Sequence, residues 1–403
     1  MSKRVILHVG TPKTGTSYVQ DVLYRNRTTL AAHGVLYPAD RFDAQFLAAL
    51  DLMRLPWGGL ETEAIGEWKR LAGHVRRWPG TSIISHEILA TATRAQAAQA
   101  LADLGHPKTE VHVVVSARDL VRQIPAEWQE NVKHRRTFTY TRFLRMIRDP
   151  ERASQTGSWF WGVQELPDIL DRWGSVLPPE RIHVVTVPKP GAPPSLLWER
   201  FAATFGIGQL KLDLDVARAN PSLGSPETAL LRRINVAVNA FVKPADYRPL
   251  VRELLAHQTL SKRRKSPRLG VPLEVHAWAS GLAQDWNAEL EKRGYDIVGD
   301  LAELRPSDEA AGFSDPDYPR ERQVNKAAVE AIRALLLENV RLREAEADLH
   351  RRLGESEAAL RRSYLRPTYR FRERAVSRLE NGWVGKSLMK AYRRARGRSS
   401  PAA

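Results

Sequence analysis

Apolar positions fall in short runs separated by stretches of helical spacing. Residues 5–9 form an apolar run that closes at Gly10, and residues 16–24 read as a helix. Residues 81–85 and 181–187 are further strand candidates. The clearest strand is 110–116, Val-rich and nearly continuous, as a strand buried on both faces should be. Helical patterns cover 94–104, 120–133, 166–173 and 196–205. Strands alternating with helices predict an α/β fold with a mostly parallel sheet flanked by helices. Residues 26–79 and 138–167 read as long loops rich in Trp, Arg and Tyr, and 191–194 and 220–226 as short ones. Helical pattern returns at 227–253 and 273–293.

Pro306, Gly312, Pro316 and Pro319 stand among acidic residues and mark a linker. Beyond it, 324–360 is rich in Ala, Leu, Glu and Arg. Leu335, Leu342 and Leu349 recur at seven, while Asn339 and Glu346 interrupt the second seam. This segment reads either as a coiled coil joining two copies in a homodimer or as a lone helix. The expected organisation is an α/β domain over 1–305, a linker over 306–323, a helical segment over 324–362 and a basic tail over 363–403.

Composition narrows the classes. Among 403 residues, 43% are hydrophobic and 27% charged, which supports a sizeable core and excludes a wholly disordered chain. The absence of cysteine excludes disulfide scaffolds, zinc ribbons, iron–sulfur sites and thiol nucleophiles. No apolar run is long enough to span a membrane, and the first run is too short for a signal-peptide core, so a cytoplasmic location is expected. The net charge is +16, and from Arg361 onward thirteen Lys and Arg face two Glu. The basicity therefore resides mainly in a tail that also carries Tyr364, Tyr369, Phe371 and Trp383. Such a tail suits peripheral contact with an anionic membrane, or is simply solvated. No nucleic-acid partner is expected.

The most specific feature is Gly10-Thr11-Pro12-Lys13-Thr14-Gly15-Thr16-Ser17, placed after a strand and before a helix. A turn there aims successive N–H groups and a helix N-terminus at one point, which favours a phosphate. Gly10, Gly15 and Ser17 match the spacing of a Walker A loop, but Thr16 sits where its lysine belongs and Lys13 comes three positions earlier. The strand 110–116 leads into Arg118, a cation, although the adjacent Asp119 keeps a magnesium-dependent kinase open.

Pro12-Lys13-Thr14-Gly15-Thr16-Ser17 closely resembles the 5′-phosphosulfate loop of sulfotransferases that use 3′-phosphoadenosine 5′-phosphosulfate (PAPS). The resemblance covers residues 5–130 by motif and continues more weakly to about residue 305, through Gly294-Tyr295-Asp296-Ile297-Val298-Gly299-Asp300-Leu301. It implies PAPS as co-substrate, no metal, and sulfuryl transfer to an acceptor hydroxyl. It also implies that Thr11, Pro12, Lys13, Thr14, Gly15, Thr16 and Ser17 hold the 5′ end, with Lys13 bridging leaving oxygen and sulfonate. Arg118 would hold the 3′-phosphate, together with a Ser eight residues later. Here that position is Ala126, and Ser116, Arg122 or Gln123 could replace the missing hydroxyl.

In this family the base is a His or Glu just past a strand near the loop, and His86 and Glu87 both follow the strand at 81–85. The surrounding sequence favours Glu87. His8 and His112 lie inside strands and read as satisfied core histidines. The stretch from Glu127 to Glu130 could face nucleotide or acceptor, and Trp57, Trp68 and Trp128 are candidates to stack on adenine. The expected acceptor is a hydroxyl on a glycan or glycolipid. The alternatives are a P-loop nucleotide or small-molecule kinase and a non-catalytic anion-binding module.

Overall fold

Arg4–Gly10 (β1) lies inside a six-stranded sheet in the computed structural model of the chain. Val35–Leu36 (β2), Thr81–Ser85 (β3), Glu110–Ala117 (β4), Ile182–Thr186 (β5) and Asp296–Val298 (β6) complete it, in spatial order β2-β3-β1-β4-β5-β6. Every pairing is parallel. The described residues are 2–215, 222–263, 266–307 and 313–365, with 371, 373, 374, 376, 377, 385 and 387. They divide into two units, one of the described residues up to Ile332 and one of those from Arg333 onward.

Alternation along β1 sorts the helices. Val5, Leu7 and Val9 face one layer: Ala44–Met53 (α3), Glu61–Ala64 (α4), Glu67–Arg77 (α5), Arg94–Asp103 (α6) and Leu166–Gly174 (α10). Ile6 faces the other, where Thr16–Arg25 (α1), Arg27–Ala32 (α2) and Leu196–Thr204 (α11) pack through Val19, Val22, Leu30, Trp198 and Phe201. Leu120–Lys133 (α7), Tyr140–Arg148 (α8) and Gln155–Gln164 (α9) follow β4. Ser225–Val238 (α12), Pro244–Tyr247 (α13), a π-helical segment Arg248–Thr259, Leu273–Arg293 (α14) and Glu321–Leu365 (α15) come later.

Because all strands run parallel, their C-terminal ends share one edge. The connection after β1 leads toward β2 and β3, and the one after β4 leads toward β5. The crevice between β1 and β4 is thus a topological switch point, the usual place for a ligand in an open α/β sheet. Register between β1 and β4 shifts between His8 and Gly10, so the strand bulges as it enters the loop.

Two expectations are corrected. The span 227–253 is not one helix. α12 ends at Val238, and Pro244, which lacks an N–H and holds Lys243 extended at φ −64°, ψ 152°, opens a new element. The segments 26–79 and 138–167 are largely helical, containing α2 to α5 in the first and α8 and α9 in the second. Thr139 and Ser154 cap α8 and α9 by accepting the N–H of Arg142 and Gly157. Among the described residues, no helix is long and apolar enough to cross a membrane. The basic tail lies largely outside those residues.

Trp173 on α10 is fully buried, and its indole N–H donates to Leu89 O at 3.0 Å, bracing the turn just past β3. Trp173→Ala is expected to cost about 3–5 kcal/mol in urea unfolding, from the cavity it leaves.

Candidate active site

A buried polar latch fixes the loop after β1. Thr11 donates its N–H to Ser116 O at 2.8 Å and its hydroxyl to the same oxygen at 3.1 Å. Thr14 Oγ1 lies 2.6 Å from both Thr11 O and Ser116 Oγ. Ser116 in turn donates to Gly10 O at 3.0 Å. His8 completes the set, with Nδ1 2.8 Å from Ser85 Oγ and Nε2 3.0 Å from Ser116 Oγ. Burial lowers the His8 pKa to about 4, so the ring is neutral. A single N–H on Nε2, donated to Ser116, lets Nδ1 accept from Ser85. His8 is therefore a satisfied core histidine that ties β3, β1 and β4 together at the crevice.

Glycine is needed twice in the loop. Gly10 has φ 125°, and a Cβ there would meet Glu87 O at 2.9 Å. Gly15 has φ 88°, and a Cβ would meet Leu197 at 2.6 Å. As N-cap of α1 it offers no side chain to the first turn, so the N–H groups of Thr16 and Ser17 lack an intrahelical partner. Lys13 occupies the left-handed region at φ 63°, at a cost of about 1–2 kcal/mol, which aims its ammonium from the tip of the loop.

Three carboxylates act on that ammonium. Lys13 is ion-paired with Glu130 on α7, and its charge is also felt by Glu87 and Glu127. Glu87 opens the 3₁₀ turn Glu87–Thr91, and its Oε2 accepts from Gln20 Nε2 at 2.8 Å. Burial pushes its carboxyl up, but His86 when protonated, the Gln20 amide and Lys13 hold it below the ordinary value. The His86 ring tilts against Phe46 at 5.1 Å, and its Nδ1 accepts the Ile88 N–H at 3.3 Å. Burial lowers its pKa as well. A neutral ring accepting through Nδ1 carries its proton on Nε2, where it can donate but not take up a proton.

On α7, Gln123 and Glu127 face the loop. Gln123 Nε2 reaches Pro12 O at 2.8 Å and Gln164 Oε1 at 2.9 Å, and Gln164 Nε2 reaches Glu127 Oε1 at 3.1 Å. Burial raises the Glu127 pKa to about 7, helped by Glu130 and opposed by Lys13, Arg118 and Gln164. Glu130 is shared further with Lys133, His134 and Arg252. Burial works against its charge, yet Lys13 and the other cations keep its carboxyl well below the usual range.

The expected 3′-phosphate residues divide. Arg118 donates through Nη2 to Arg122 O at 2.8 Å, while its Nε is buried with no partner. Burial and then Arg122 lower its pKa to about 10, leaving it charged at neutrality. A half-buried guanidinium whose Nε–H is buried without a partner fits an anion. Ser116 is committed to the latch. Arg122 is ion-paired with Asp119 and reaches Pro188 O at 3.1 Å and Val187 O at 3.4 Å. Gln123 grips the loop backbone. Asp119 also accepts the Arg122 N–H as N-cap of α7.

Of the three tryptophans, Trp128 is fully buried and Trp68 is bonded to Asp103 in the core. Trp57 is half-buried, 5.6 Å from Phe46, 6.0 Å from Trp159 and 5.9 Å from His134. An aromatic line thus runs from His86 to His134. The sequence already held the signal for the α7 face, since polar Gln123, Glu127 and Glu130 recur at i, i+4 and i+7 on an otherwise amphipathic helix.

No protein-family model matches this chain, and no curated protein matches it. Among solved structures it is similar to a sulfotransferase from Alicyclobacillus acidocaldarius. The identity is 16% and the TM-score 0.37, over 61% of this chain and 94% of that one. A likeness at that level assigns neither a reaction nor a residue.

Glu127 gives a pH test. Its folded form keeps a proton up to about pH 7, whereas the unfolded chain releases it near 4.3. The folded state therefore binds more protons between these values, and stability falls as pH rises through them. Glu127→Gln is expected to remove this contribution. In urea unfolding, wild type should lose more stability than the variant between pH 5 and pH 8.

Proposed function

We propose that the protein transfers a sulfuryl group from PAPS to an acceptor hydroxyl. The observation that carries this reading is the loop from Pro12 to Ser17. Its sequence resembles a phosphosulfate loop, it sits at the switch point of a parallel sheet, and Lys13 and Glu87 converge on it. The orphaned Nε of Arg118 at the end of β4 supports a second anion contact.

The residues divide the work. Glu87, held ionised, accepts the proton of the attacking hydroxyl, a role worth roughly 10²–10⁴-fold. The acceptor oxygen forms its bond to sulfur as the bond from sulfur to the phosphate oxygen breaks. The leaving adenosine 3′,5′-bisphosphate keeps that electron pair. Lys13 and the N–H groups of Thr16 and Ser17 stabilise the charge on the leaving oxygen. His86, with its proton on Nε2, suits orientation of the acceptor rather than the role of base. Arg118 is assigned to the 3′-phosphate. The aromatic line of Phe46, Trp57 and Trp159 supports a glycan or glycolipid acceptor, whose rings stack on such surfaces. A magnesium-dependent kinase would want Asp119, which is already engaged by Arg122 and the first turn of α7.

Calorimetric titration with adenosine 3′,5′-bisphosphate, beside ADP and ATP with magnesium, tests the donor. Micromolar or tighter binding of the bisphosphate alone is expected, weakened at least tenfold by Lys13→Ala. Preference for ATP with magnesium would replace this reading with a kinase, and no binding at all would leave an anion-binding module. Glu87→Gln should keep bisphosphate affinity while kcat falls about 10²–10⁴-fold. Unchanged turnover would remove Glu87 from the chemistry.

A further inference from the structure

The second unit contains the part of α15 from Arg333 to Leu365. Leu335, Leu342, Leu349, Leu353 and Leu360 on it are 41–64% exposed. Written as heptads, Asn339, Glu346, Leu353 and Leu360 occupy a, and Leu335, Leu342, Leu349 and Ser356 occupy d. Four heptads at about 1.5 Å per residue give a seam roughly 42 Å long. A helix with such a stripe gains its stability by covering it.

We infer that this face pairs with a second copy of the chain as a parallel, in-register coiled coil. The flanking charges support it. In parallel pairs each g residue meets the e residue five positions later on the partner helix. Here that brings Glu338 to the other copy's Arg343 and Arg352 to the other copy's Glu357, two opposite-charge contacts on each side of the seam. The third such contact, Ala345 with His350, is free of conflict. Leu at d suits two strands, and a single Asn at a fixes register. Glu346 at a opposes its own copy and weakens the pair. A membrane is the poorer occupant. From Arg333 to Leu365 seven Arg face six acidic residues, whereas a helix lying on a bilayer carries a strongly basic polar face. The inference is independent of the reaction proposed above.

The chain has no cysteine, so introduced thiols report without background. Leu335→Cys and Leu349→Cys, each alone in the full-length protein, should both form a disulfide-linked dimer under mild oxidation. An antiparallel pair can bring only one of these positions against its own copy, so linkage at one alone would overturn the parallel arrangement. A monomer by sedimentation at micromolar concentration, with no linkage at either position, would overturn pairing altogether. Glu338→Arg should weaken the dimer about five- to tenfold, and adding Arg343→Glu should restore it. Glu346→Leu should tighten it at least tenfold. Charge reversal without effect would overturn the proposed contacts.

Discussion

The hydroxyl of Ser116 is the point on which the site depends. It joins the end of β1, through Gly10 O, to the tip of the loop, through Thr14, and to β3 by way of His8 and Ser85. Each of these groups is buried, so each would carry a desolvation penalty if left unpaired. Satisfied together, they allow one arrangement of the loop. That arrangement sets Lys13 in its left-handed conformation and leaves the first N–H groups of α1 facing outward. Preorganisation of this kind requires a polar network sealed from water, and the fully apolar runs on either side of β1 provide the seal.

What could be read from the sequence follows a physical line. The Val- and Ile-rich strands β1, β3, β4 and β5 stand out because they are buried on both faces. Their helices appear close to the expected positions. β2 and β6 have two and three residues, too few for any period to show. α8 and α9 were hidden for another reason. Their Trp, Arg and Tyr content suggested an open recognition loop, while the signals that announce them are the capping residues Thr139 and Ser154. The break at Pro244 was visible as a proline but lies within an otherwise continuous helical pattern.

The site shows the same division. The loop announces itself because backbone geometry dictates its residue types, with Gly10 and Gly15 each excluded from carrying a Cβ. The carboxylates of α7 show in the sequence only as a polar stripe on one helix face, because Lys13, the loop partner of Glu130, lies more than a hundred residues away in the chain. Ser116 illustrates the ambiguity well. A serine beside such a loop could contact an anion or hold the loop, and only the structure shows its hydroxyl against Gly10 O and Thr14 Oγ1. His86 and Glu87 are adjacent in sequence, yet the Ile88 N–H fixes one ring nitrogen while Gln20 and Lys13 keep the carboxylate charged.

The pairing of Lys13 with Glu130 has a kinetic consequence. An anion drawn to the ammonium would first have to displace an existing carboxylate, so its affinity would be the difference between two attractions. The same carboxylate, which Lys133, His134 and Arg252 also approach, would be in place to recapture the ammonium as the anion left. Such an exchange would trade grip for a faster off-rate, and the pairing leaves the half-buried ammonium with a partner whenever no anion is present.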